Sequence, residues 1–160
     1  MPLMLAIDPG NKQSGWCLFG GKSVLDSGIL ENHEMLELIY QHRANKLAIE
    51  MIASYGMAVG REVFETCVWI GRFMQWHNQP DDVRLIYRKD VKLHLCGTTK
   101  AKDANIRQAI IDLFPPVGGG KTPQIGTKKQ PGPLYGISSH AWAALAVALT
   151  AKEATWAEND

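Results

Sequence analysis

The chain has 160 residues, of which 46% are hydrophobic and 21% charged, with a formal net charge of +1; this matches one globular domain and excludes wholesale disorder or a fibrous design. No apolar run approaches the ~20 residues of a spanning helix, and Met1-Pro2-Leu3 does not lead into a secretory core, so a cytoplasmic protein without membrane contact is expected. Cys17, Cys67 and Cys96 are odd in number and far apart, which favours reduced thiols over a disulfide framework or a structural zinc site.

Leu3 to Ile7 reads as a buried strand, ended by the turn Asp8-Pro9-Gly10-Asn11, because Pro fixes φ and Gly permits positive φ. Ser14 to Phe19 and Ser23 to Leu30 are β-rich and flank Gly20-Gly21, a hairpin signal that completes a three-stranded meander. Met35, Leu36, Leu38 and Ile39 form one helical stripe after the candidate cap Asn32, and Leu47 to Ile49 follow as a strand. That βαβ crossover makes the first and fourth strands parallel neighbours.

A longer helix is predicted from Ala58 to Trp76, with Val63, Phe64, Cys67, Val68, Ile70, Phe73 and Met74 apolar over much of its circumference. Such breadth has two explanations: burial against the sheet and a second subunit, or enclosure in the chain's own core. Val83 to Tyr87 is a fifth strand, followed by helical segments at Asp90 to Leu95 and Asp103 to Phe114. Residues 115–137 hold six Gly and five Pro and read as a long loop that is mobile until it meets a ligand. Ser138-Ser139 then cap a closing helix whose Ala141, Ala143, Ala144, Ala146 and Ala148 permit close approach to the sheet. One domain over residues 1–152 and a polar tail over 153–160 are expected.

Charge is unevenly spread. Residues 1–83 hold 6 Lys+Arg against 10 Asp+Glu, net −4, whereas residues 84–129 hold 10 against 3, net +7, and residues 130–160 hold 1 against 3, net −2. The basic third quarter suits a polyanion, although a solvated helix face explains part of it. Asp8 and Glu50 each end an apolar run, Leu3-Met-Leu-Ala-Ile-Asp8 and Lys46-Leu-Ala-Ile-Glu50. Acids at the carboxyl ends of parallel strands sit on rigid backbone at the rim where α/β sheets bind ligands, and two neighbours there suggest a divalent metal. Taken singly, Asp8 is explained as a turn residue, Glu50 as a strand terminus and His140 as a helix-capping residue.

Gly118-Gly-Gly-Lys121-Thr122 looks like the end of a phosphate loop, but Pro115 stands where that motif needs Gly and a helix precedes it, so this reading is rejected. Asp8-Pro-Gly10 fits the phosphate turn of actin-like ATPases, whose two similar domains need a chain about twice as long.

The order Ala6-Ile-Asp-Pro-Gly10, Leu47-Ala-Ile-Glu50, Val91-Lys92 followed by Gly97, and Ser139-His-Ala-Trp-Ala-Ala-Leu-Ala-Val-Ala-Leu149 resembles the RuvC family of Holliday junction resolvases, in a compact form like those of bacteriophages. The resemblance implies an α/β, ribonuclease H-like fold: a five-stranded mixed sheet flanked by helices. It further implies a homodimer that binds four-way and other branched DNA and nicks opposed strands with two Mg²⁺ or Mn²⁺ ions per active site. Asp8 matches the family's first-strand aspartate, Glu50 its fourth-strand glutamate and His140 the first ligand of the last helix. The family's second ligand on that helix, an Asp, falls on Ala143, so little or no cleavage is expected of this chain as written. Ala143 is explained equally by an introduced Asp→Ala change and by a branch that lacks the ligand. In the intact mechanism a hydroxide attacks phosphorus in line and the 3′ oxygen leaves.

For DNA contact, Lys92 matches a family lysine; a second family lysine aligns with Asp103, which directs attention to Lys100 and Lys102. Lys121, Lys128 and Lys129 add charge in the loop, and Tyr55 is the nearest candidate for a family aromatic whose own position is Ala53. Two other functions compete: a non-catalytic branched-DNA binder, and a ribonuclease H-like nuclease for flap DNA or RNA.

Overall fold

β1 (Met4–Asp8) runs down the centre of a five-stranded mixed sheet, and its unbroken apolar sequence suits a strand covered on both faces. The structure, a computed structural model, describes residues 3–152; the expected tail at 153–160 lies outside the described residues. β2 (Gln13–Phe19) and β3 (Val24–Glu31) continue antiparallel from β1, as the meander predicted. Their loop is four residues, Gly20 to Ser23, longer than the glycine pair alone, and closes with Gly20 N–H donating to Ser23 O at 2.9 Å.

α1 (Asn32–Gln41) crosses over to β4 (Lys46–Met51), which pairs parallel with β1 as expected. α2 (Arg61–Trp76) leads through a short 3₁₀ turn to β5 (Arg84–Tyr87), parallel to β4 and at the sheet edge. The strand order is β3-β2-β1-β4-β5. α3 (Arg88–Cys96), α4 (Asp103–Asp112) and α5 (Ser139–Ala151) complete the chain.

Strand periodicity sorts the core into two layers. Met4, Ala6, Cys17, Phe19, Ala48 and Ile86 face α4 and α5, whereas Leu5, Ile7, Trp16, Leu47 and Ile49 face α1 and α2. α5 is buried almost all round, so its alanines are what let it lie against the sheet. Ala143, half-buried, interrupts an otherwise buried run from Ala141 to Leu149.

Three local expectations change. Asn32 does not cap α1: Glu31 holds that position without a side-chain capping bond, and Asn32 is buried at the helix's first residue. Its Nδ2 donates to Gly10 O at 2.8 Å and its Oδ1 accepts from Ser14 Oγ at 2.7 Å, which ties the turn after β1 to α1. Ser138 stands at the N-cap of α5, yet its hydroxyl makes no capping bond. Residues 115–137 contain no helix or strand, but they are folded on themselves through Gly118 N–H to Pro123 O, Gly132 N–H to Ile125 O and Leu134 N–H to Gln124 O, with Leu134 fully buried. All three cysteines are free; burial pushes the Cys17 thiol up to about 12, with Asp26 adding to the shift. Among the described residues no helix is long and apolar enough to cross a membrane.

α2 is not enclosed by its own chain. Thr66, Ile70 and Phe73 are buried, while Phe64 and Val68, one turn apart, are 62% and 63% exposed.

Candidate active site

The parallel register sets Ile7 opposite Ile49; extended by one residue, it brings Asp8 beside Glu50 at the carboxyl edge. Both side chains share parity with Ala6 and Ala48, so both turn toward α5. Across the hairpin Asp8 pairs with Gly15, and this glycine decides how closely α5 can come. A Cβ there would lie 2.5 Å from the backbone carbon and oxygen of His140. With hydrogen in its place, the start of α5 sits directly over the acids. His140 Nδ1 lies within hydrogen-bond distance of Asp8 Oδ2, at 3.0 Å.

The two carboxyls hydrogen-bond each other, and both are held above their ordinary values. Burial is the main cause in both: it pushes Asp8 above its ordinary value and, with the bond and charge of Asp8, pushes Glu50 up to about 8. Arg88, at the start of α3, opposes this without reversing it. Its Nη1 lies 3.8 Å from Glu50 Oε1, and its Nη2 pairs with Asp103.

Three clefts meet at this centre. One of 510 Å³ runs along the Pro9 to Gly15 turn to His140 and includes Lys12. A second, of 360 Å³, lies between α4 and α5 and is lined by Arg88, Asp103, Arg107, His140 and Ala143. The third, of 280 Å³, holds Asp8, Glu50, Ala53, Tyr55 and Arg88. Ala143 lines the cleft of His140 and Arg88 one turn after His140, at the position where the resemblance puts a carboxylate.

Tyr55 reaches this rim in a turn closed by Met57 N–H to Ser54 O at 2.9 Å. Tyr55 and Gly56 both have positive φ, 51° and 78°, as a type I′ turn requires. The ring is 64% exposed, which leaves its face available for stacking. The lysines singled out in the sequence lie farther out. Lys92 is half-buried on α3, Lys100, Lys102, Lys121, Lys128 and Lys129 are exposed, and none of the six lines the three clefts. The cations that do are Lys12, Arg88 and Arg107, which sequence reasoning passed over.

Among the described residues, no three His, Cys, Asp or Glu side chains stand in an arrangement that could hold a metal ion. Asp8 joins Glu50 and His140 through hydrogen bonds, but His140 Nδ1 is spent on Asp8 and position 143 supplies no oxygen. Two carboxylates, Asp8 and Glu50, suit at most a single hard cation. They do not fit two cations, whose four positive charges would face two carboxylates.

No family model and no curated protein matches the sequence. Solved structures do. Thermus thermophilus RuvC is 17% identical, with 92% of each chain covered and a TM-score of 0.66. The fold is that of RuvC. T. thermophilus RuvC in complex with Holliday junction substrate matches as well, at 19% identity, with 94% of this chain and 92% of that one covered and a TM-score of 0.64. The RuvC fold thus spans nearly the whole described chain, with the ribonuclease H-like sheet that the sequence implied.

Proposed function

We propose that this protein is a structure-selective endonuclease of the Holliday junction resolvase kind, acting on four-way and branched DNA, with cleavage by this chain held low by Ala143. One observation carries the reading: Asp8 touches both Glu50 and His140 at the carboxyl edge of a RuvC-fold sheet, and Ala143 lines the cleft of His140 and Arg88 one helical turn later. The likeness to a RuvC chain bound to a Holliday junction supports four-way DNA as the substrate class.

Asp8 and Glu50 would hold Mg²⁺ or Mn²⁺. Such a cation lowers the pKa of bound water and stabilises the leaving oxygen. Beside it, Asp8 and Glu50 would both serve as carboxylate ligands, and His140 would keep Asp8 oriented. Tyr55 offers a ring at the rim for an unpaired base. Lys92, Lys100, Lys102, Lys121, Lys128 and Lys129 would meet phosphates away from the centre, which predicts affinity that falls steeply with salt. Phe64 and Val68 form an apolar strip on α2 that a second copy would cover in a homodimer.

The test is a gel-shift panel of four-way junction, flap, duplex and single strand in Ca²⁺, run beside Mg²⁺ cleavage of the wild-type chain and Ala143→Asp. Junction preference is expected, with Ala143→Asp nicking at least ~100-fold faster than wild type, since a direct ligand matters at least as much as its outer supports. Junction binding with no nicking by either form would favour the non-catalytic binder, which the lost ligand supports. Preference for flap or RNA would move the substrate and leave the centre intact.

A further inference from the structure

Among the described residues, Arg88 is the one that lines both the 280 Å³ cleft of the acids and Tyr55 and the 360 Å³ cleft of His140 and Ala143. It sits at the junction of the two grooves, where a strand crossing the centre would have to pass. Its guanidinium is committed at one end only. Nη2 is paired with Asp103 of α4, while Nη1 is 3.8 Å from Glu50, beyond hydrogen-bond distance, and the side chain remains 32% exposed. An Arg fork with unspent donors next to two buried carboxylates matches what a phosphodiester needs there: a cation that offsets its charge and two parallel N–H groups for its oxygens.

We propose that Arg88 binds the backbone phosphate that enters the acid centre, and that Asp103 is the positioning residue that aims the guanidinium between the two clefts. This rests on the branched-DNA reading above, and extends it from the outlying lysines to a contact at the centre itself. Arg107, on the 360 Å³ cleft, is stacked on the Trp142 ring at 4.5 Å, so its charge is held to one side. Lys12 opens on the 510 Å³ cleft beyond Asp8. Arg88 alone reaches both paths.

The experiment measures four-way junction affinity in Ca²⁺ as a function of salt for wild type, Arg88→Gln, and the double variant Arg88→Gln/Asp103→Asn, with melting curves for each. If Arg88 holds phosphate, Arg88→Gln binds roughly tenfold or more weakly and its slope of log affinity against log salt is shallower by about 0.9, one released counterion. The double variant, which leaves no orphaned charge at position 103 and serves as the folding control, is then as weak as Arg88→Gln. Recovery of wild-type affinity and slope by the double variant would overturn the proposal, because Arg88 would then serve only to balance Glu50 and Asp103. Unchanged binding by Arg88→Gln overturns it too. If wild type itself prefers no branched DNA, the functional reading fails along with it, an outcome separate from a normal wild type with an indifferent Arg88 variant.

Discussion

Burial and the adjacent Asp8 both oppose the charge of Glu50 and push its carboxyl up to about 8. The folded chain therefore binds more protons than the unfolded chain between the ordinary 4.5 and about 8. Stability contributed by this group is full below that window and is lost as pH rises through it. We expect the melting temperature in EDTA to fall from pH 5 to pH 8, with a shallower fall in Glu50→Gln and in excess Mg²⁺. Equal slopes for wild type and Glu50→Gln would remove the protonated pair from the account. Asp8 and Glu50 were legible in the sequence because each stops an apolar run, a pattern that depends only on neighbours along the chain. Arg88, Gly15 and Asn32 were not, since what makes each matter is a partner far away: Asp103, His140 and Gly10.

At the scale of elements, the meeting of α5 with the sheet sets the site. Ala6, Ala48 and Gly15 keep the sheet face shallow, and the alanines of α5 keep the helix thin, so the His140 backbone reaches Gly15 without room for a methyl group. Gly15→Ala must push against helix backbone, which cannot swing aside like a flexible side chain. A loss of about 1 to 3 kcal/mol is expected by thermal or urea unfolding. In an Ala143→Asp background it would also slow nicking by displacing His140; unchanged stability would mean that α5 shifts freely. The small-residue character of α5 was readable from its alanines, but the matching glycine on β2 was not, because Gly15 follows no turn signal. Residues 115–137 went the other way: their Gly and Pro content pointed to a loose loop, whereas tertiary packing of Leu134 and backbone bonds between distant loop residues fold it up.

At the scale of the whole molecule, Phe64 and Val68 form an apolar strip of α2 that the described chain does not cover. Phe64 and Val68 lie on the helix face away from Ile70 and Phe73. Analytical ultracentrifugation should find a dimer whose Phe64→Glu variant sediments as a monomer with a little-changed melting temperature, since an exposed side chain contributes little to the chain's own core. A monomeric wild type at micromolar concentration would refute the homodimer. The sequence had left two explanations for this helix, and packing within the chain decides against full enclosure.

The sequence by itself determined the antiparallel meander, the parallel pairing of β1 with β4 and the two acids at their ends, because strand period, apolar runs and a βαβ crossover are local signals with few topological solutions. Only the tertiary structure decided how those acids are charged and what stands over them. Burial, the approach of α5 across Gly15 and the reach of Arg88 between two clefts are properties of surfaces brought together by folding, and no stretch of neighbouring residues encodes them.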